Sequence, residues 1–161
     1  MNAKAQSWGC ASSPFFLWLV CGFAANQPKK NVFSRAAGLR IPAGCDPVQP
    51  DILVVRMQDL AIFRERRIFG VPALLVEVLS PSNAEQDTEI KLRAYAHAGV
   101  PEYWIVRPAE RDMLVYSQPD QLLGNYTQCD IIPADGELVS PTLPFRSTIV
   151  PFFADAPDGT L

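Results

Sequence analysis

The 161-residue chain has a single histidine, His97. That excludes a multi-histidine zinc site, a helix carrying His-Glu-x-x-His, and any nuclease centre built on paired histidines. Cysteine is sparse as well. Cys10, Cys21, Cys45 and Cys129 never form C-x-x-C, so neither a zinc ribbon nor a thioredoxin-type site is expected. Two disulfides could in principle be drawn from the four thiols, but a core of this size needs no staples, and scattered buried free thiols are expected. Cationic excess is absent too: 14 Lys and Arg against 17 Asp and Glu leave a net charge of -3. A histone-like polycation or a general attraction to anionic membranes is thereby ruled out, and any polyanion site must be local. Lysine all but vanishes after Lys30, where Lys91 stands alone.

Long apolar runs are scarce. The most apolar stretch, Pro14 to Ala25, is too short to span a bilayer comfortably. With Lys4 ahead of it and small residues behind, it reads as an export leader cleaved near Ala25, as a core helix, or as a non-native start upstream of a domain. One basic residue makes a poor leader, and Pro14 with its bulky aromatic neighbours makes a poor leader core. A cytoplasmic protein without stable membrane association is expected. Residues 1–30 hold no Asp or Glu. They are expected to form an atypical N-terminal segment, a leader or a truncated start, ahead of one folded domain over residues 31–161.

What is present points to a sheet. A 48% hydrophobic composition provides the apolar area that a core needs, and fifteen prolines argue against a helical bundle. Asp51 to Val55 and Ala73 to Leu79 are short, apolar and β-branched, as strands buried on both faces are. Ser82-Asn83-Ala84-Glu85 fits a capping box, and the helix it opens should run to about His97, with Gly99 as its left-handed stop and Pro101 beyond. In that helix Asp87, Lys91 and Tyr95 recur every four residues on one face. Ile90, Ala94 and Ala98 form a neighbouring face suited to packing on a sheet. Glu102 to Val106 and Met113 to Tyr116 flank a polar turn, a hairpin pattern, and one or two further strands are expected in the tail, closing at Ile149 to Phe153. The fold class is α+β, with a mixed central β-sheet flanked by one or few helices.

Glu77 is the anomaly in this pattern. It sits among Leu75, Val76, Val78 and Leu79, and an unpaired charge there would cost several kcal/mol. It must be protonated, paired with a cation such as Lys91 or Arg93, or ligating a metal. Asp51 opens the other buried strand, and Arg64, Arg66 and Arg67 make a basic connection that could touch a DNA backbone or simply be solvated. Tyr103 and Trp104 suit a core better than base stacking. His97, at the helix end, should face solvent or cap carbonyls.

Gln49-Pro50-Asp51, Val76-Glu77-Val78-Leu79-Ser80-Pro81-Ser82, then Asp87, Lys91 and Tyr95, then Gly99-Val100-Pro101-Glu102-Tyr103-Trp104 form an ordered series. Over residues 31–153 that series resembles the Uma-type restriction endonuclease family, a branch of the PD-(D/E)xK nuclease superfamily. The resemblance implies a restriction-endonuclease-like core. It also implies a Mg²⁺ or Mn²⁺ site on Asp51 and Glu77, with Lys91 orienting the attacking water and Asp87 and Tyr95 in support. The superfamily lysine usually lies two residues after the Glu, a position held here by Leu79, whereas the Uma-type pattern has it on the following helix. The acidic residue that the first helix of such proteins commonly supplies has no counterpart in residues 1–30.

The expected function is therefore Mg²⁺-dependent hydrolysis of DNA phosphodiester bonds, for which a homodimer would help cut both strands. The alternative is a catalytically impaired or truncated nuclease fold acting as a nucleic-acid-binding or interaction domain. A small exported binding domain is a third reading, and it requires a working leader.

Overall fold

Two apolar runs build the centre of the sheet. In the computed structural model, which describes residues 31–34, 39–41, 49–64, 67–79 and 85–153, they are β3 (Ile52–Arg56) and β6 (Leu74–Val78). Before and between them lie β1 (Asn31–Ser34), β2 (Leu39–Arg40), a 3-10 helix (Met57–Ile62), β4 (Phe63–Arg64) and β5 (Arg67–Phe69). After them come helix α1 (Glu85–His97), β7 (Glu102–Arg107), β8 (Asp112–Asp120), β9 (Asn125–Pro133), β10 (Glu137–Val139), β11 (Arg146–Thr148) and the short helix α2 (Val150–Phe153).

The main sheet has the order β1-β3-β6-β7-β8-β9. Only β6 and β7 are parallel, because α1 carries the chain back between them, and the other neighbours are antiparallel. The sheet is thus mixed, as the sequence suggests, and α1 is the one long helix among the described residues. Smaller sheets, β2-β5-β4 and β10-β11, lie beside it.

Alternation along the strands sends side chains into two cores. Ile52, Val54, Leu74, Val76, Trp104 and Val106 pack against Leu138, Phe145, Ile149 and Phe153 from the C-terminal elements. Leu53, Val55, Leu75, Tyr103 and Ile105 pack against Ala94 and Tyr95 of α1 and against Leu39 and Ile68 of the small sheet. Burial on both faces explains why β3 and β6 read as continuous apolar runs rather than alternating ones.

The helix ends as expected. Gly99 has φ +77, and a Cβ there would run into the Gln121 side chain. Ser82 lies outside the described residues, so the capping box does too. Three expectations are corrected. Ile90 is exposed, although Ala94 and Ala98 of the same expected face do pack on the sheet, where Tyr95 joins them. The tail holds three strands, and Val150–Phe153 is helical where a closing strand was expected. Cys129 is free but exposed on β9, not buried; the other three cysteines lie outside the described residues. Among the described residues no helix is long and apolar enough to cross a membrane.

Candidate active site

Asp51 stands one residue ahead of β3, and Pro50 before it is buried. The antiparallel register pairs Ile52 with Val76, so the next step places Asp51 beside Glu77 on the adjacent strand. Both project to the face that α1 covers, in line with Leu53 and Leu75. Asp51 is fixed by the backbone of β6 itself, since the Val78 N–H donates to its Oδ2 at 2.8 Å.

The helix supplies the other side of the site. Tyr95 Oη donates to Glu77 Oε1 at 3.0 Å, and Lys91 Nζ lies 3.4 Å from Glu77 Oε2. The i, i+4 spacing read from the sequence turns both groups toward one carboxylate. Tyr95 is fully buried and meets Tyr103 edge to face, with ring centroids 5.0 Å apart, which holds its hydroxyl in place. Of the two cations that could pair with Glu77, Lys91 does so. Arg93 points outward to Glu89, 3.4 Å away on the exposed side. Asp87 belongs to the first turn of α1, and its side chain lies outside the described residues.

The electrostatics of Glu77 follow from its surroundings. Burial is the largest effect and raises its pKa; Lys91 opposes that, the Asp51 charge adds to it, and the Tyr95 hydrogen bond opposes it again. The result is pushed up to about 7. Asp51 and Glu77 thus repel each other where they stand, and a cation between them would relieve that repulsion. Two carboxylates are hard oxygen donors of the kind Mg²⁺ accepts, with water and phosphate oxygens completing the shell. Among the described residues no third Asp, Glu, His or Cys joins them.

The basic connection lies elsewhere. Arg64 and Arg67 are paired across the β4–β5 turn and exposed; Arg66 lies outside the described residues. The chain reaches them from the C-terminal end of β3 and leaves them for the N-terminal end of β6, the end of those strands away from Asp51 and Glu77. Tyr103 and Trp104 are fully buried in the core and present no ring to a base. His97 is exposed, and its Nδ1 donates to the carbonyl of Gln121 at 2.8 Å.

A second buried carboxylate escapes the sequence reading. Glu102 opens β7 and accepts Trp104 Nε1 at 2.6 Å, Ser140 Oγ at 2.7 Å and Thr142 Oγ1 at 2.6 Å. It faces the other core, away from Glu77. The signal that marks Glu77, a charge within an apolar strand, applies equally to Glu102-Tyr103-Trp104-Ile105-Val106. Arg107, described below, reads from the sequence as the start of a turn.

The model of the Uma2 family, described as "Putative restriction endonuclease", matches residues 12–151. The match begins within the N-terminal segment set apart by composition. The chain is also similar to a crystal structure of a "putative nuclease belonging to DUF820" from Anabaena variabilis, with a TM-score of 0.70 and 16% identity, over 96% of this chain and 82% of that one. At that identity the likeness concerns the fold. No curated protein matches the chain significantly. A family match across most of the chain, on a mixed sheet whose Asp51 and Glu77 meet Lys91 of the covering helix, leads to one conclusion: the chain belongs to the Uma2 family of restriction-endonuclease-like proteins.

Proposed function

We propose that the protein is a metal-dependent endonuclease that hydrolyses phosphodiester bonds in DNA. The observation that carries the reading is the meeting of Asp51 and Glu77 on adjacent strands with the Lys91 ammonium 3.4 Å from Glu77. Asp51 and Glu77 would hold Mg²⁺ or Mn²⁺, which when bound supplies charge neutralisation for the scissile phosphate and acidifies a water. Lys91 donates a hydrogen bond from the helix side, where it orients a water held at Glu77 and offsets negative charge that develops during displacement. Tyr95 keeps one Glu77 oxygen fixed, so that the carboxylate presents the same edge at each turnover. In the absence of a cation, Glu77 shares a proton or the Lys91 charge.

The test is cleavage of supercoiled plasmid and of labelled oligonucleotides in Mg²⁺, Mn²⁺ and EDTA, with wild type beside Glu77→Gln and Lys91→Ala. Wild type should cut in either metal and not in EDTA. Each variant should lose at least about a hundredfold in rate, the scale of a positioned catalytic group. Equal cleavage by wild type and Glu77→Gln would mean a contaminating nuclease and end the assignment. Binding of DNA without cleavage would favour the nucleic-acid-binding domain instead.

A further inference from the structure

Arg107 ends β7. In the parallel pairing of β6 with β7, Glu77 lies across from Ile105 and Val78 across from Val106. The ladder reaches one step further, since the Leu79 N–H donates to the Val106 carbonyl at 2.9 Å. Arg107 therefore stands two residues beyond the level of Glu77 on the next strand, and alternation turns it to the same face. One strand spacing across and two residues along put its Cα about 8 Å from that of Glu77.

Its guanidinium is held flat. Nε lies 2.7 Å from Asp112 Oδ1 and Nη2 lies 2.6 Å from Oδ2, in a bidentate pair across the β7–β8 hairpin. That grip uses two of the five N–H donors of an arginine, and among the described residues nothing else takes the others. The side chain remains 26% exposed, so a partly desolvated cation, drawn toward β8 by Asp112, reaches solvent on the same face of the sheet as the carboxylate pair.

We infer that Arg107 is a binding residue for the nucleic-acid backbone, gripping a phosphate further along the strand that is presented to Asp51 and Glu77. This rests on the nuclease reading above. A planar fork with donors left over matches a phosphate in shape, and partial burial strengthens the attraction. Asp112 fixes the plane of that fork, while its own charge opposes the anion.

The test reads binding without turnover, using the full chain with Glu77→Gln and fluorescent duplex and single-stranded DNA at several salt concentrations in Mg²⁺. Adding Arg107→Gln should weaken binding roughly fivefold to tenfold and reduce the salt slope by about 1. Arg107→Lys should keep the slope and lose part of the affinity. Asp112→Asn breaks the same clamp but keeps the cation and removes an opposing charge, so it should tighten binding. Weakening by Asp112→Asn equal to that by Arg107→Gln would make the pair a hairpin clamp and overturn the inference. So would an Arg107→Gln protein that binds like its parent. A wild-type protein that neither binds nor cuts DNA would overturn both this inference and the nuclease reading, whereas a protein that cuts without using Arg107 removes this inference alone.

Discussion

At the scale of single residues, Glu77 decides the behaviour of the site. Its carboxyl titrates near 4.5 in the unfolded chain and is pushed up to about 7 in the folded protein, chiefly by burial. Between those values the folded state holds more protons than the unfolded one, so stability present below pH 4.5 is lost as the pH rises through 7. At about 1.4 kcal/mol per pH unit, the loss is about 3 kcal/mol. Gln at position 77 keeps an acceptor for Tyr95 and carries no charge. Urea unfolding in EDTA at pH 5 and pH 8 should therefore show a pH-dependent loss in wild type that Glu77→Gln lacks, with the variant the more stable of the two at pH 8. A variant less stable than wild type at pH 8 would mean that the Lys91–Glu77 pair is a net structural salt bridge.

The element scale is set by how the C-terminal hairpin joins the sheet. Glu102 lies in the central strand β7, yet its carboxylate accepts from Ser140 and Thr142 in the β10–β11 turn. Ser140 Oγ in turn accepts the Leu143 N–H at 2.9 Å. Burial raises the Glu102 pKa, the largest effect, and these donors pull against it. Truncation would strand several buried donors at once, each costing about 1–3 kcal/mol. Glu102→Ala should accordingly lower unfolding stability by about 3 kcal/mol or more, while Arg93→Ala, which removes only an exposed i, i+4 pair, should cost less than about 0.5. Denaturant melts of the two variants check the ordering. Comparable losses would mean that water replaces the lost partners at Glu102.

For the whole molecule, the sheet acts as a wall with a core on each side: the C-terminal elements seal one face, and α1 and the small sheet cover the other. The carboxylate pair lies on the α1 side, at the end of β6 from which the chain departs toward the helix. A cation bound there would join β3 to β6 and stabilise the folded state by mass action. At ten times its dissociation constant Mg²⁺ would contribute about 1.4 kcal/mol, which for a chain of this size raises Tm by roughly 4 °C. Asp51→Asn should abolish that rise. It should also raise the EDTA melting temperature above pH 7, because the repulsion on Glu77 is gone. A mutant that melts below wild type in EDTA would count against the metal site.

Local pattern was enough to mark β3, β6, the end of α1 at Gly99 and the oddity of Glu77. Each depends on neighbours within a few residues: an apolar run, a glycine with positive φ, a charge where none belongs. The pairing of Asp51 with Glu77, by contrast, entered only through the resemblance, and register across 26 positions in sequence had to confirm that they share a face. Spacing could place Lys91 and Tyr95 together but not say whether Lys91 or Arg93 meets Glu77. That depended on how α1 rolls against the sheet, which also left Ile90 outside. Apart from Trp104, the partners of Glu102 lie 38 and 40 residues away, and Arg107 acquires its neighbourhood from strands that precede and follow it. Periodicity sets which residues of one element point the same way. Only strand register and helix packing, which minimise buried unpaired charge over the whole chain, decide which elements those residues confront.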